Sequence, residues 1–391
     1  MVSAADVVVI SHGRFHSFDL AEQVQSAGRL AAIFTGYPRF KLQNTRVRQD
    51  LIRSFPWFQT SYLALARFRW MPAAPLNEWA WHGGEALNRY AARHLPESCR
   101  VVTALSGSGR ESGRAIQRRG GVYICDRGSS HIRWQDQILA KEYDRLGMNW
   151  AGVDRRAIDN EEVEYEMADA ISLPSRFTLR SFVEMGTPVS KLRLLPYGVN
   201  VGAFRRSEKR ASNFRIAFIG QLCVRKGLHT LLETFSRLNL PGAELVLVGG
   251  HTPDTQAILS RYPLDNVTLT GLLPREGVIR EMSRASVMVL PSIEEGLALV
   301  MAQALACGCP VIASTHTGAE DLFADGEEGF IIDPGDGEGL AERLTRLALD
   351  RDLVESMGEK AVRRVQEIGG WDRYGRESLA MFDALLSARS C

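Results

Sequence analysis

The chain has 391 residues, 45% of them apolar and 24% charged, with a net charge of +1. That balance excludes a mainly disordered or fibrous chain, and the length predicts two domains of moderate size. The neutral total would also exclude an electrostatic role, but it hides an asymmetry: residues 1–133 carry 18 Lys and Arg against 9 Asp and Glu, a net of +9, leaving −8 for the remainder.

In chain order, Met1 to Asp6 holds no basic stretch, and the apolar run Val7 to Ile10 is too short for a signal peptide and reads as a buried strand. Ser11-His12-Gly13-Arg14-Phe15 then turns into a helix reaching Gly28. From Arg39 to Trp70, Arg46, Arg48, Arg53, Arg67 and Arg69 alternate with Phe55, Trp57, Phe58, Tyr62, Phe68 and Trp70. Such a stretch suits an anionic membrane surface or a lipid-diphosphate acceptor, and equally a solvated helix with its aromatics in the core. Nothing in it resembles a stacking platform for single-stranded nucleic acid, so no nucleic-acid partner is expected. The strand Val101–Leu105 leads into Gly107-Ser108-Gly109 through Gly113, one residue off the dinucleotide fingerprint, which reads as a tight turn facing a cleft. Val122–Cys125 precedes Asp126-Arg127-Gly128-Ser129-Ser130-His131, and Ala170–Leu173 follows.

Pro196 to Asn200 and the basic stretch Arg205 to Arg210 close this series. A second begins with the strand Phe214–Ile219 and the helix Leu228–Leu238. It continues through Leu245–Val248, Val267–Leu269 and Val287–Leu290 to a helix ending at Ala306 and the strand Val311–Ala313. Continuous apolar strands alternating with helices predict an α/β chain with parallel sheets covered on both faces. Cys99, Cys125, Cys223, Cys307, Cys309 and Cys391 are scattered, without a C-x-x-C pair, and read as small buried side chains in a reducing cytosol. No metal site is expected; Asp350-Arg351-Asp352 reads as a helix cap. The longest apolar stretch, Leu297 to Ala313, is broken by Gly308 and Pro310 and falls short of the roughly 20 residues a bilayer span needs.

The most informative segment is Pro291-Ser292-Ile293-Glu294-Glu295-Gly296-Leu297-Ala298-Leu299, running on to Gln303. A strand ends at Leu290, and an acidic turn leads to a helix starting near Gly296. Free N–H groups at such a terminus suit a phosphate, and Gly296 and Ala298 permit close approach. Glu295 could accept hydrogen bonds from sugar hydroxyls, or could simply cap the helix.

This segment resembles the donor-site signature of retaining GT-B glycosyltransferases of family 4. Phe218-Ile219-Gly220-Gln221-Leu222 through Arg225-Lys226-Gly227 resembles the family's first strand and basic loop. Leu247-Val248-Gly249-Gly250 and Leu269-Thr270-Gly271-Leu272 resemble its nucleotide-side turns, and Asp325 to Asp336 its late loop and strand. Pro196 to Asn200 resembles the inter-domain turn, and Trp371-Asp372 the start of the terminal helix. The resemblance implies a GT-B fold of two facing Rossmann-like domains. Residues 1–200 would form the acceptor side, 201–370 the nucleotide-sugar side, and 371–391 a helix returning to the first domain. It implies no cofactor, a nucleotide diphosphate sugar as donor substrate, and a glycan, lipid-linked or small-molecule acceptor, as in polysaccharide biosynthesis.

Residue by residue, the resemblance assigns Glu295 to the transferred sugar's hydroxyls, and Lys226, with Arg225, to the donor diphosphate. Gly13 falls on the first Gly-rich loop and His131 near the donor sugar, with His12 and His16 as alternatives. Gly220, Gly249, Gly271, Leu272, Gly296, Leu297, Ala298, Leu299 and Gln303 would line the nucleotide site. Two departures stand out: Gln303 replaces the family's second Glu, and Gln221 its usual Arg. They motivate a rival reading, a binding subunit that kept the fold and lost turnover. The expected location is cytoplasmic, peripheral at the inner face of a membrane through residues 39–70.

Overall fold

In the computed structural model, residues 5–13, 15–57, 73–199, 201–238 and 240–390 are described, with the side chains of 73–77, 201 and 390 left out. The first sheet contains β1 (Val7–Ser11), β2 (Leu30–Thr35), β3 (Ile52–Ser54), β4 (Val101–Leu105), β5 (Val122–Asp126), β6 (Ala170–Leu173) and β7 (Leu192–Leu194). Their spatial order is β3-β2-β1-β4-β5-β6-β7, every pair parallel. The second holds β8 (Arg215–Ile219), β9 (Glu244–Val248), β10 (Val267–Gly271), β11 (Val287–Leu290), β12 (Val311–Ser314) and β13 (Gly329–Ile332) in the order β10-β9-β8-β11-β12-β13, again all parallel. Both orders reverse direction beside their first strand, the doubly wound arrangement that opens a crevice at the strands' carboxyl ends.

Three strands, β2, β3 and the short β7, escaped the sequence pattern. β2, Leu-Ala-Ala-Ile-Phe-Thr, is part alanine and so carries little β-branched signal, although it is buried throughout its last four residues. β3 is a three-residue edge strand. Alternation on β1 shows how both faces are covered: Val7 and Val9 join one core and Val8 and Ile10 the other. The first of these cores is continuous with that of the second sheet.

The helices that matter for the site are α1 (His16–Ser26), α2 (Ala73–Arg93), α3 (Arg110–Arg118), α4 (Ile132–Arg145), α5 (Arg155–Met167), α6 (Arg176–Glu184), α7 (Leu228–Leu238), α8 (Thr255–Leu259), α9 (Arg275–Arg284) and α10 (Leu299–Ala306). They are followed by α11 (Gly337–Leu349), α12 (Arg351–Ile368) and α13 (Trp371–Ser390). Asp350 does cap a helix, accepting from Leu353 N at the start of α12. The last helix, α13, lies on the first sheet's layer. It packs against α1, its Asp383 pairs with Arg29, and Arg389 bonds the Gly121 carbonyl and Asp169. The described cysteines are buried and unpaired.

Of the basic, aromatic stretch, Phe58 to Trp70 lie outside the described residues. The part before them is short 3-10 turns and β3 rather than a helix, with Phe40 and Trp57 exposed and Phe55 stacked on Tyr90. Among the described residues, no helix is long and apolar enough to cross a membrane.

Candidate active site

The loops leaving the carboxyl ends of β8 and β11 are held together by main-chain contacts. Arg225 and Lys226 close a 3-10 turn after β8, and Gly227 follows it at φ 71°. A Cβ there would overlap the Pro291 carbonyl, so only glycine lets this loop seat against Pro291. The N–H groups of Ile293 and Glu294 donate to the Arg225 carbonyl at 2.9 and 3.3 Å. Two cations and two carboxylates therefore meet in one place. Lys226 Nζ pairs with Glu295 Oε2, and Arg225 Nη1 lies 3.8 Å from Glu295 Oε1 and 3.3 Å from Glu294 Oε2. Burial, and then Arg225 alongside, pull the Lys226 ammonium down to about 7.

Glu294 was not singled out in the sequence, yet it binds the two halves together. It is fully buried, and its Oε1 accepts from Ser129 Oγ at 2.6 Å, Ser130 Oγ at 2.7 Å and Ser130 N at 3.1 Å. Its Oε2 accepts from Gln135 Nε2 at 2.9 Å. Burial opposes ionisation, but Arg225 and then the serine hydroxyls outweigh it and hold this carboxyl below its ordinary range. The chain of bonds runs on into the first sheet: Gln135 Oε1 accepts from Arg127 Nη2 at 2.8 Å, and Arg127 Nη1 reaches Glu161 at 2.8 Å. The only sequence signal was an acidic residue in a strand-end turn facing a Gly-Ser-Ser loop, and a contact across 164 residues has no local signature.

Around these carboxylates the chain is tightly packed. A Cβ on Gly296 would overlap the Gly128 carbonyl, and Ser175 Oγ donates to the Gly296 carbonyl at 2.7 Å. The following helix begins at Leu299, not near Gly296, because Ala298 is still extended and gives its N–H to the Thr317 carbonyl. Leu297 is buried core, whereas Leu299, Val300 and Gln303 form the partly exposed face of α10. Gly249 lies so close to the Gly220 carbonyl that a side chain would overlap it, and Gly271 turns at φ 71° into Leu272, which is 83% exposed.

In the first half, Gly13 is buried in the β1–α1 loop with its carbonyl accepting from Ser11 Oγ at 2.9 Å. His131 is the N-cap of α4: its Nδ1 accepts from Arg133 N, and its ring packs on Tyr165 and Phe182. Burial pushes its pKa down to about 4. Its described contacts lie within its own half, and none is with Lys226 or Glu295. His16 stands closer to the junction, stacked on Tyr197 at 4.1 Å, bonded to Asp126 at 2.6 Å, and beside Gly128. The glycine loop at Gly107 does bind an anion, but an internal one. Glu164 accepts from the N–H groups of Gly107, Gly109 and Arg110 at 2.9 Å each, and burial raises its pKa to about 7. Among the described residues, no group of three His, Cys, Asp or Glu side chains could hold a metal ion.

The capsular polysaccharide biosynthesis glycosyltransferase CapM of Staphylococcus aureus is 30% identical over 158 residues, covering 39% of this chain and 42% of that one. The chain thus spans about half or less of the length of such curated relatives. Over nearly the whole chain, its fold matches sucrose-phosphate synthase from Thermosynechococcus elongatus, with a TM-score of 0.73, 21% identity, and coverage of 98% and 100%. HepE of Anabaena, solved in complex with UDP-glucose, matches with a TM-score of 0.67, 15% identity, and coverage of 97% and 99%. These two likenesses establish the fold, which is GT-B. The family model for glycosyl transferases group 1 matches residues 203–364, the segment that carries Arg225, Lys226, Glu294 and Glu295. Over that segment the chain is similar to the glycosyl transferases group 1 family.

Proposed function

We propose that the protein is a retaining glycosyltransferase that moves a sugar from a nucleotide diphosphate sugar to a glycan, lipid-linked or small-molecule acceptor. The observation that carries this reading is the cation pair Arg225 and Lys226 beside Glu295, set at the carboxyl ends of β8 and β11 and facing the first sheet's Gly128–Ser130 loop. In this reading residues 1–200 form the acceptor side, residues 201–370 bind the donor, and α13 ties the second part back to the first.

The chemistry follows from charge. Breaking the bond between the anomeric carbon and the diphosphate oxygen leaves negative charge on the phosphate. Lys226 and Arg225 would counter it without a metal, helped by the Leu299 and Val300 N–H groups in the first turn of α10. Glu295 would release Lys226 and accept hydrogen bonds from the sugar's hydroxyls. The acceptor oxygen bonds to the anomeric carbon on the face that the phosphate leaves, and its proton passes to that phosphate. No separate carboxylate base is then needed. Gln303, on the partly exposed face of α10, would meet the ribose through an amide, and exposed Leu272 would lie along the base. His16, whose ring lies beside Gly128, is better placed than the capping His131 to approach the donor sugar. Residues 39–57, with exposed Phe40 and Trp57 among arginines, would rest on an anionic membrane surface.

The test is transfer or hydrolysis across a nucleotide-sugar panel by the wild type, Lys226→Ala and Glu295→Ala. Removal of one such charge-stabilising group should slow turnover by about 100-fold or more. Unchanged rates in both variants would overturn the site. A wild type that binds nucleotide but never turns over would favour the binding-subunit reading, which Gln303 and Gln221 motivate.

A further inference from the structure

The turn that carries Arg225 and Lys226 is held at its entry by a segment from outside it. Val224 opens the 3-10 turn Val224–Lys226, where a main-chain N–H has no partner within the turn. Asp254, after β9 and just before α8, supplies one: its Oδ2 accepts from Val224 N at 2.8 Å. The same loop fastens the residue two places earlier, because the Leu222 carbonyl accepts from Thr252 Oγ1 at 3.0 Å and from Thr255 Oγ1. Asp254 is itself held from the first half. Its Oδ2 also accepts from Tyr143 Oη at 2.8 Å, and Tyr143 stands in the last turn of α4.

Tyr143 is fixed in turn. Its buried ring lies 4.9 Å from that of Trp150, whose Nε1 donates to Asp136 at 2.8 Å. Burial, and then Asp254, raise the phenol's pKa, so its hydroxyl stays a donor. Its neighbours cross the same boundary: Glu142 Oε1 accepts from His229 Nε2 at 2.7 Å, and the Leu146 carbonyl from Arg261 Nη1 at 2.8 Å. The Arg261 bond ends just past α8, whereas the Tyr143 bond ends on the carboxylate that holds the basic turn. We propose that Tyr143 and Asp254 are positioning residues that, through Val224, set Arg225 and Lys226 against the donor's diphosphate, which rests on the transferase reading above. With the hydroxyl in place, Asp254 Oδ2 is locked between two donors and the turn has a fixed entry. Without it, the carboxylate is free to rotate, and the two cations lose the support that fixes their placement. A small misplacement of a charge-positioning contact is felt strongly at the group it serves.

Calorimetry on the full chain would test this with UDP, GDP and ADP, each against its monophosphate, since each pair differs by the terminal phosphate alone. The wild type should prefer at least one diphosphate. Tyr143→Phe keeps the ring, and should cut that preference about tenfold while leaving the monophosphate's affinity within about twofold. A merely structural role would weaken both nucleotides alike. Arg261→Ala removes a bond across the same boundary and should leave the preference unchanged. In an Asp254→Ala background Tyr143→Phe should have no further effect, because it acts through that carboxylate. The inference is overturned if Tyr143→Phe keeps the wild-type preference, if it weakens both nucleotides alike, if Arg261→Ala lowers the preference as much, or if the loss persists in full without Asp254. Should Asp254→Ala fail to fold by circular dichroism, the comparison of Tyr143→Phe with Arg261→Ala still decides. A wild type that prefers a diphosphate, with Tyr143→Phe unchanged from it, sinks the positioning role alone. A wild type that binds no nucleotide, or shows no diphosphate preference, sinks the donor-site reading with it.

Discussion

Truncating Glu294 tests the junction between the halves most directly. Its carboxylate accepts from Ser129, Ser130 and Gln135 and pairs with Arg225, all at 2.6–3.3 Å in a fully buried position. Glu294→Ala leaves the Ser130 N–H and the Arg225 guanidinium without that partner. Removing one member of a buried ion pair costs about 3–5 kcal/mol. Glu294→Gln keeps the shape but is not silent. If its carbonyl stays with the two serines, its NH2 faces two donors, Gln135 Nε2 and Arg225 Nη1. The Gln135 amide cannot turn over to help, because its Oε1 already accepts from Arg127. One unsatisfied donor contact of this kind costs about 1–3 kcal/mol. Urea unfolding of the two variants should therefore rank wild type, Gln and Ala in falling stability. A double-mutant cycle with Ser130→Ala should give a coupling of about 1.5–3 kcal/mol, the range for a hydrogen bond to a charged group. A coupling below about 0.5 kcal/mol, within the scatter of independent sites, would refute the latch.

Three further outcomes are expected. Gly296→Ala should force the Gly128 loop away at a cost of about 1–3 kcal/mol, the range for overpacking, and raise the radius of gyration measured by small-angle scattering; an unchanged radius and stability would contradict the close approach. Because the free-state Lys226 ammonium titrates at about 7, nucleoside diphosphate affinity measured by calorimetry should fall as pH rises above that value, by up to about tenfold per unit. Lys226→Arg should flatten the profile, and a flat wild-type profile would refute the assignment. Burial works against the Glu142 carboxylate, but bonds from His229 and Arg145 hold it down at about 2. Its folded pKa is depressed, so its stabilisation is present above the ordinary 4.5 and is lost as pH falls toward 2. Glu142→Gln should remove that slope from acid-unfolding curves.

The strands Val101–Leu105, Ala170–Leu173 and Val287–Leu290 were legible to the residue, as was the helix Leu228–Leu238. Each is a continuous apolar run or a strong helical stripe, and each is bounded by turn residues. β2 was not, because two alanines dilute its strand signal and only its position between β1 and β3 makes it one. In the site, Glu295 and Lys226 could be picked out because a motif carries them. Glu294, one residue earlier, could not: its importance lies in Ser129, Ser130 and Gln135, more than 150 residues away. The Gly107 loop shows the reverse error that spacing invites. Its N–H groups do form an anion nest, but the anion is Glu164, a residue of α5 that the local sequence does not mention.

Glu294 and Glu295 are neighbours with opposite partners, and that division has an energetic consequence. With no donor bound, Glu295 neutralises Lys226, so neither charge stands unpaired in a buried setting. On the proposed reading a diphosphate displaces Glu295 from Lys226 and brings its own sugar hydroxyls to the freed carboxylate. Both groups exchange one partner for another, and the cost of burying them falls on folding rather than on binding. Arg225 differs, because it is also tied to Glu294, which bonds the first half only when the halves meet. Orienting Arg225 and closing the halves are then one event. By reciprocity, whatever the donor gains from an oriented Arg225 must equal what the donor adds to closure.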